Sequence, residues 1–406
     1  MVSDEDRKRA NDEDVSKEEP GDFVVTPWTV KGDVDYDKLV QEFGTSKITP
    51  EIIEVFQKLT GEIHPFLRRR IFYSHRDLDD ILRRYENGEK FFLYTGRGPS
   101  GGVHLGHLIP WIFTKYLQDK FGAELYFQMT DDEKYYTSDK LSLEKTADLA
   151  EENTLDLIAV GFDPKKTFVF TDTGYMKTMY DIAARVAKHT TFSTVKGVFG
   201  FENSTNIGMV FFPALQAATC FLPSALKGYN IPCLIPAAID QDPYWRGIAR
   251  EVAPKLGFYK PAQIHSKFMP GLGQGGKMSA SQPETAIFTT DTPEVVEKKV
   301  RSSFTGGRDT LEEQRLLGGQ ADICPVYHYY YFLFELNDRE LERIYDDCVS
   351  GQLLCGDCKM MLSSRVKRFI AEHAIKREAA REYIDEFIIE DVSEGLTKRA
   401  EIKERE

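Results

Sequence analysis

Cysteine and long apolar runs are both scarce in this sequence, and each scarcity excludes a class of protein. Six cysteines among 406 residues are too few for a disulfide framework, so we expect a reducing, cytoplasmic location. No apolar stretch approaches the ~20 residues of a membrane-spanning helix, and the charged residues 1–20 lack the apolar segment of a signal peptide. We therefore expect no membrane partner.

An excess of positive charge is also missing. The chain has 52 Lys and Arg against 65 Asp and Glu, a formal net charge of −13. This balance argues against non-specific coating of nucleic acid but permits a nucleic-acid substrate that contacts a local basic patch. With 41% hydrophobic and 29% charged residues the composition is globular, and the length suits two or three domains.

The order of apolar patterns predicts an α/β fold. Short apolar runs separated by helical patterns are typical of buried parallel strands, and they occur at 91–95, 125–129, 167–171 and 231–239. We predict a Rossmann-like, doubly wound parallel sheet, a small N-terminal appended region and an α-helical C-terminal domain. The predicted boundaries are a charged tail over 1–21, the appended region over 22–87, the sheet domain over 88–290 and the helical domain over 291–406.

A glycine-rich loop and two histidines follow the first predicted strand. Residues 96–101 match the dinucleotide pattern G-x-G-x-x-G, but Pro99 is unsuited to the helix start that this pattern requires. His104 and His107 lie three residues apart, on one face of the first turn of a predicted helix. A helix N-terminus favours phosphate oxygens, and two imidazole donors there would stabilise charge that develops on phosphorus. Gly106 leaves room for a nucleotide ring near the backbone.

A second glycine-rich stretch, residues 271–276, ends at Lys277. Glycines ahead of a lysine predict a mobile loop that carries a cation to β- and γ-phosphates, while Ser279 and Ser281 fix the loop or donate hydrogen bonds. The spacing is not that of the usual phosphate-binding loop. The competing interpretation of this stretch is a glycine-rich surface linker. For the histidine motif, the competing interpretation is a pair of surface histidines.

Together the two motifs resemble the HIGH and KMSKS signatures of class I aminoacyl-tRNA synthetases. They read His104-Leu105-Gly106-His107 and Lys277-Met278-Ser279-Ala280-Ser281, in the same order and about 170 residues apart. The finer resemblance is to tryptophanyl-tRNA synthetases of the eukaryotic and archaeal type, over about residues 24–387. Segments that carry it are 94–100, 128–134, 212–216, 238–244 and 306–310. The loop before His104 is about one residue shorter than usual in that family.

This resemblance implies a ligase that activates L-tryptophan with ATP, releases pyrophosphate and transfers the tryptophanyl group to tRNA(Trp). It also implies a homodimer and makes the helical C-terminal domain the anticodon-binding domain. Neither chemical step needs a protein nucleophile, so catalysis would rest on placement and charge stabilisation. Magnesium would enter with ATP as its complex, and we predict no protein-ligated metal.

The site residues that the resemblance implies fall into three groups. The catalytic group consists of His104, His107, Lys277 and Ser279. The ATP-binding group consists of Thr95, Gly96, Arg97, Gly106, Asp240, Met278 and Ser281. The tryptophan-binding group consists of Tyr94 and Gln128 for the indole N–H, and Glu133, Gln216 and Gln241 for the amino and carboxyl end. An indole N–H is a donor only, so it requires a neutral acceptor.

Two further patterns receive a structural interpretation. Adjacent carboxylates at Asp131, Asp132 and Glu133 suit Mg²⁺, but a helix start that favours negative side chains is the commoner cause. Cys355 and Cys358 form a lone C-x-x-C without the second pair that a zinc site needs. We predict a turn with two ordinary thiols.

Two segments of the C-terminal region have more than one interpretation. The aromatic run 327–332 suits base stacking, yet a helical core is the simpler prediction. The cations Lys359, Arg365, Lys367 and Arg368 form either a stripe that faces tRNA or a solvated helix face.

Four alternative functions stay open from the sequence. They are a tyrosyl-tRNA synthetase, which would place a carboxylate where Gln128 stands, a nucleotidylyltransferase with the same histidine pair, a non-catalytic RNA-binding paralogue, and a nicotinamide dehydrogenase. The retention of His104, His107 and Lys277 argues against the paralogue.

Overall fold

A computed structural model describes residues 24–25, 30–31 and 34–391, and a seven-stranded sheet forms its centre. The charged tail predicted over residues 1–21 lies outside the described residues. A short antiparallel pair comes first, β1 (Val24–Val25) and β2 (Val30–Lys31). The strands of the large sheet are β3 (Ser46–Lys47), β4 (Phe72–Arg76), β5 (Phe92–Arg97), β6 (Leu125–Met129), β7 (Thr167–Thr171), β8 (Cys233–Ala238) and β9 (Ala262–Ser266).

The order across the large sheet is β3-β4-β9-β8-β5-β6-β7. The five strands from β9 to β7 are parallel, while β4 pairs antiparallel with β9 and β3 antiparallel with β4. The chain adds β6 and β7 on one side of β5 and then β8 and β9 on the other. Ligands of open α/β sheets bind beyond the carboxyl ends of the strands where this reversal occurs. The loop that follows β5 therefore lies at the expected ligand position.

Side chains of the central strands alternate between two cores. On β5, Leu93 packs into one core, whereas Phe92 and Tyr94 pack into the other. On β6, Phe127 packs into the same core as Leu93, and Tyr126 packs into the other. Both faces are buried because helices cover each of them, which is why these strands appear in the sequence as short apolar runs.

The α-helices cover both faces of the sheet and form most of the described chain beyond Asp291. In chain order they are α1 (Tyr36–Phe43), α2 (Pro50–Thr60), α3 (Pro65–Arg68), α4 (Leu78–Glu86), α5 (Leu105–Phe121), α6 (Asp131–Thr137), α7 (Leu143–Val160), α8 (Met176–Lys188), α9 (Phe192–Phe199), α10 (Ile207–Ala218), α11 (Leu222–Lys227), α12 (Asp242–Tyr244), α13 (Arg250–Leu256), α14 (Pro293–Ser302), α15 (Leu311–Leu317), α16 (Pro325–Tyr329), α17 (Asp338–Val349) and α18 (Cys355–Ala380). Among the described helices, none combines the length and apolar character needed to cross a bilayer.

Local sequence accounts for where several helices begin and end. The Ser142 hydroxyl accepts the N–H of Lys145 at the start of α7, and Gly161, with φ of 102°, ends that helix. Thr310 and Glu313 form a reciprocal capping box on α15. These ends depend on short-range chemistry, so they are the parts of the fold that a sequence specifies most directly.

The predicted doubly wound sheet is confirmed, although the sheet is mixed rather than wholly parallel. Strands β3, β4 and β9 were not predicted, because two of them bury polar side chains that satisfy one another. Ser74 Oγ lies 3.1 Å from His265 Nδ1, and His265 Nε2 lies 3.0 Å from Gln263 Oε1. Strands β3 and β4 come from residues 22–87, so the sheet extends across the boundary predicted at residue 87. The domain boundaries themselves stay predictions.

The C-terminal helices differ in detail from the predicted ones. The aromatic run is helical, and Tyr329 and Tyr330 are fully buried, which confirms the predicted helical core. The turn predicted at Cys355 and Cys358 is wrong, because both residues lie on the first turn of α18. That helix then packs against α7 and α14, so the helical region and the sheet share one apolar core.

Candidate active site

A cavity of about 460 Å³ lies at the carboxyl ends of β5, β6 and β8, where the strand order reverses. Every predicted site residue except Ser281 lines it. The cavity is also lined by residues that the sequence analysis did not single out, among them Lys134, Tyr244 and Trp245. Residues spread over the chain from 94 to 279 are thus brought to one place.

The two histidines lie at the start of α5. His104 is the N-cap residue, and its backbone N–H donates to His107 Nδ1 at 3.1 Å. The two rings stack with centroids 3.5 Å apart and planes 21° from parallel. Because His107 Nδ1 accepts a hydrogen bond, the proton of its neutral ring lies on Nε2, which is then a donor.

Both imidazoles are neutral at physiological pH. Burial, with the nearby cation of Arg97, lowers the pKa of His104 to about 3 and holds the pKa of His107 well below its usual value. The ammonium of Lys277 acts on both in the same direction. His104 Nδ1 is buried and has no hydrogen-bond partner among the described residues. Each neutral ring carries one N–H, and its donation to an anionic ligand stays a prediction.

The lysine motif and the segment that follows it both lie against the start of α5. Leu105 donates its N–H to the Ile287 carbonyl at 3.0 Å, and a Cβ placed on Gly106 would lie 3.6 Å from the Cβ of Met278. That Cβ would also lie 3.1 Å from the His104 ring. The absence of a side chain at Gly106 thus makes room for an imidazole, and the predicted approach of a nucleotide ring stays a prediction.

Lys277 already has a carboxylate partner within the site. Its Nζ donates to Asp240 Oδ2 at 2.8 Å and lies 5.2 Å from the centroid of the Phe268 ring. The other Asp240 oxygen, Oδ1, is buried without a partner among the described residues. An arriving polyphosphate would compete with Asp240 for this ammonium.

The two serines of the lysine motif hold its backbone. Their hydroxyl oxygens lie 2.9 Å apart, and the Ser281 N–H donates to Ser279 Oγ at 3.3 Å. Ser279 lines the cavity while Ser281 does not. This geometry matches the loop-fixing alternative considered for the two residues.

Arg97 holds the glycine-rich loop through hydrogen bonds to its backbone. Its guanidinium donates to the carbonyls of Gly101 and Gly102, at 3.1 and 2.9 Å, and to Asn153 Oδ1. Burial lowers the pKa of Arg97 to about 10, which still leaves it charged. The structure gives this cation a role in shaping the loop, and its contact with phosphate stays a prediction.

The acidic run after β6 forms the start of α6, as predicted. Asp131 accepts the N–H of Thr173 at 3.1 Å, and Asp132 accepts the N–H of Glu133 at 2.6 Å. Glu133 instead faces the cavity, where it pairs with Lys134 at 2.9 Å. Lys134 is one of the cavity residues that were not predicted, although it directly follows the predicted Glu133.

A buried hydrogen-bond chain lies on the opposite wall. The Tyr94 hydroxyl donates to Gln128 Oε1 at 2.5 Å, and the Thr219 hydroxyl donates to the same oxygen at 3.1 Å. Gln128 Nε2 donates to Asp172 Oδ1 at 2.6 Å. Gln128 is fully buried, so its amide orientation is set by these partners. Asp172 directly follows β7, a strand-end position that could have marked it in the sequence.

The Tyr94 phenol is a neutral hydrogen-bonding group of this wall. Its hydroxyl donates to Gln128 Oε1 at 2.5 Å, with the Gln216 carbonyl a more distant acceptor at 3.3 Å, while burial raises its pKa well above the usual value. Trp245 packs edge-on against its ring at a centroid distance of 5.9 Å. This wall combines aromatic surface with neutral hydrogen-bonding groups, and no charged side chain stands at the position of Gln128.

Most cations of the predicted basic stripe on α18 contact other groups of the same chain. Lys359 donates to the carbonyls of Arg301 and Ser303 at 3.0 and 2.6 Å. Arg365 and Lys367 pair with glutamates 335 and 297, at 2.5 and 2.7 Å. These contacts favour a structural role for the three cations over a surface that faces tRNA.

Histidines at a helix start and a lysine on a separate loop share one cavity of a doubly wound sheet, and comparison with known proteins gives the class of this arrangement. The family of class I tRNA synthetases for tryptophan and tyrosine (W and Y) matches residues 86–371, and the chain belongs to it. The tryptophan–tRNA ligase of Pyrobaculum calidifontis is 52% identical over 366 residues, which are 90% of this chain and 97% of the relative. That of Saccharolobus solfataricus is 50% identical over 370 residues, covering 91% and 96%.

Solved structures agree with these relatives. The tryptophanyl-tRNA synthetase of Plasmodium falciparum superposes with a TM-score of 0.82 at 42% identity, covering 87% of this chain and 97% of that one. Within the class, the chain belongs with the tryptophan–tRNA ligases. The tyrosyl alternative is not favoured.

Proposed function

We propose that the chain activates L-tryptophan with Mg-ATP and transfers the tryptophanyl group to tRNA(Trp). A carboxylate oxygen of tryptophan attacks the α-phosphorus, the bond from that phosphorus to the bridging oxygen breaks, and pyrophosphate leaves. The 2′-hydroxyl of the terminal tRNA adenosine then attacks the acyl carbon, loses its proton, and AMP leaves. Neither step requires a nucleophile from the protein.

The observation that supports this proposal is the shared cavity of the two motifs. His104 and His107 would donate to phosphate oxygens as neutral groups, and the pairing of Lys277 with Asp240 keeps its ammonium at the same cavity. Catalysis would then consist of orientation and of stabilising charge as it moves onto pyrophosphate. Thr95 and Gly96, at the end of β5, would form the backbone wall beside ATP.

The indole would bind at the hydrogen-bonded wall. Both Gln128 Oε1 contacts are taken by donors, whereas the Tyr94 oxygen retains a lone pair. The indole N–H would therefore donate to Tyr94, and Gln128 would act by fixing the direction of the phenol proton. Glu133, Gln216 and Gln241, on other walls of the cavity, would hold the amino and carboxyl end.

Pyrophosphate exchange dependent on each amino acid tests the assignment. We expect exchange with tryptophan, and exchange with tyrosine alone would contradict it. His107→Ala removes one charge-stabilising contact of about 2–3 kcal/mol, which should slow exchange roughly 30–150-fold. The control is His189→Ala, which alters an exposed histidine at the end of α8 and should leave exchange unchanged.

The homodimer, the anticodon-binding role of the helical region and the cytoplasmic location rest on the family resemblance. Light scattering on the purified chain tests the first, and we expect the mass of two copies. Aminoacylation of tRNA(Trp) with and without anticodon substitutions tests the second. A loss of charging that follows the anticodon would support the role of residues 291–406.

A further inference from the structure

Four of the six cysteines meet at one small cavity among the C-terminal helices. They are Cys324, Cys348, Cys355 and Cys358. Cys324 directly precedes α16, Cys348 lies near the end of α17, and the other two lie three residues apart on the first turn of α18. A spacing of three places both on one face of that helix. The fold thus brings two isolated cysteines and the C-x-x-C pair together as a group of four.

The backbone is shaped around these sulfurs. A Cβ on Gly307 would lie 2.9 Å from Cys355 Sγ, and a Cβ on Gly319 would lie 2.8 Å from Cys348 Sγ. Any larger residue at either glycine would displace a sulfur or the chain. Gln314 Nε2 also donates to Cys355 Sγ at 3.2 Å. Hydrogen bonds of this kind are typical of the groups that orient and tune metal-bound thiolates.

We propose that these four cysteines bind a metal centre through four thiolates. The remaining cavity wall is formed by Thr305, Val326, Tyr327, Ile344 and Leu353, so sulfur is the ligand that the site offers. Thiolates select zinc or iron–sulfur clusters and do not suit Mg²⁺ or Ca²⁺. The ionic bonds to the metal would offset the repulsion among four neighbouring anions.

The separation of the sulfurs favours an iron–sulfur cluster over a single zinc ion. Four thiolates on one zinc, with Zn–S bonds of about 2.3 Å, stand roughly 3.8 Å from one another. Here no three of the four sulfurs lie within 4.8 Å of one another. A [4Fe–4S] cluster is also held by four cysteines but spans a greater distance. The centre would join the starts of α16 and α18 to the end of α17.

This site is separate from the proposed active site. The residues lining the two cavities do not overlap, and the cysteines take no part in the chemistry derived above. Failure of the metal proposal would leave the ligase assignment intact, and the two can be measured on the same preparations.

Metal analysis of the full chain, purified without oxygen, tests the proposal. We expect about four iron and about four acid-labile sulfide per chain, with a broad visible absorption that dithionite bleaches. Cys324→Ser and Cys358→Ser should each lose most of the iron. Cys233→Ser, a buried cysteine of β8, is the matched control and should keep it. Retained pyrophosphate exchange in the variants shows that their catalytic region is folded.

Each other outcome also decides the matter. One zinc per chain, lost in both variants and kept in the control, would support the four-thiolate centre and refute its iron–sulfur identity. Metal-free wild type that does not take up iron and sulfide on reconstitution would overturn the proposal. So would metal that both variants retain, or a disulfide within the group of four shown by mass spectrometry.

Discussion

Asp172 determines which way the Gln128 amide points, and its replacement tests how the site recognises indole. The carboxyl accepts from Gln128 Nε2 at 2.6 Å, which leaves Gln128 Oε1 for the Tyr94 hydroxyl. Asp172→Ala removes this acceptor and leaves a buried N–H group unpaired, so the amide can turn its NH₂ group toward Tyr94. The phenol proton would then be redirected into the position that the indole N–H occupies.

The expected magnitude follows from the buried amide. An unpaired buried polar group costs about 1–3 kcal/mol. If about 1–2 kcal/mol of this appears in tryptophan binding, the KM for tryptophan rises roughly 5–30-fold. We expect kcat to change little, because Asp172 touches no reacting atom. Pyrophosphate exchange at varied tryptophan concentration measures both quantities.

Asp172→Asn is the variant that separates positioning from general damage. Asparagine has nearly the size of aspartate and keeps an acceptor oxygen that can replace Asp172 Oδ1 opposite Gln128 Nε2. Burial and the neighbouring Asp132 carboxyl raise the pKa of Asp172 well above its usual value, which favours the uncharged form that asparagine resembles. We expect a KM near that of the wild type. Asp181→Ala, at an exposed aspartate of α8, is the surface control. An unchanged KM in Asp172→Ala, or an Asn variant as impaired as the Ala variant, would refute the reasoning.

Three further predictions use other parts of the structure. Lys277→Ala should slow pyrophosphate exchange roughly 30–150-fold and should also lower thermal stability, because it leaves the buried Asp240 carboxylate without its cation. Asp242→Ala removes the buried partner that accepts from Arg76 at 2.5 Å, and calorimetry should show a loss of about 3–5 kcal/mol. Burial lowers the pKa of His104 to about 3 and of His265 to about 4, so the unfolded chain binds more protons below pH 6.5. Each of the two histidines should therefore lower the free energy of unfolding by up to about 1.4 kcal/mol per pH unit as the pH falls from 6.5 toward the pKa of that histidine in the folded protein. Denaturant titration at several pH values measures this loss.

The central strands were predictable because burial on both faces leaves an apolar run that a sequence displays directly. β5 and β6 show this pattern, and the glycines at the end of β5 mark where that strand stops. β4 and β9 do not, since they bury Ser74 and His265, whose polarity is compensated by their mutual contact and by Gln263. A polar pair buried across two strands that lie about 190 residues apart leaves no local signal. Such strands can be assigned only once their partners are known.

The residues of the candidate site also fall into two groups, those that the sequence predicts and those that it does not. His104, His107 and Lys277 were predictable because their chemistry depends on short spacings and on the glycines beside them. Asp172 and Thr219 were not predicted, because each contacts Gln128 and neither lines the cavity. Residues that only orient another side chain need no recognisable motif, since any acceptor or donor that reaches the Gln128 amide can orient it.

The cysteines show that a local pattern can hide a spatial group. A C-x-x-C without a second pair is weak support for a metal site when all four ligands are expected as neighbouring pairs in the chain. Cys324 and Cys348 are instead single residues at the ends of separate helices, and α16 and α17 bring them to the first turn of α18. Because a helix end fixes one side chain as firmly as a short loop fixes two, four-ligand sites need not appear as paired motifs.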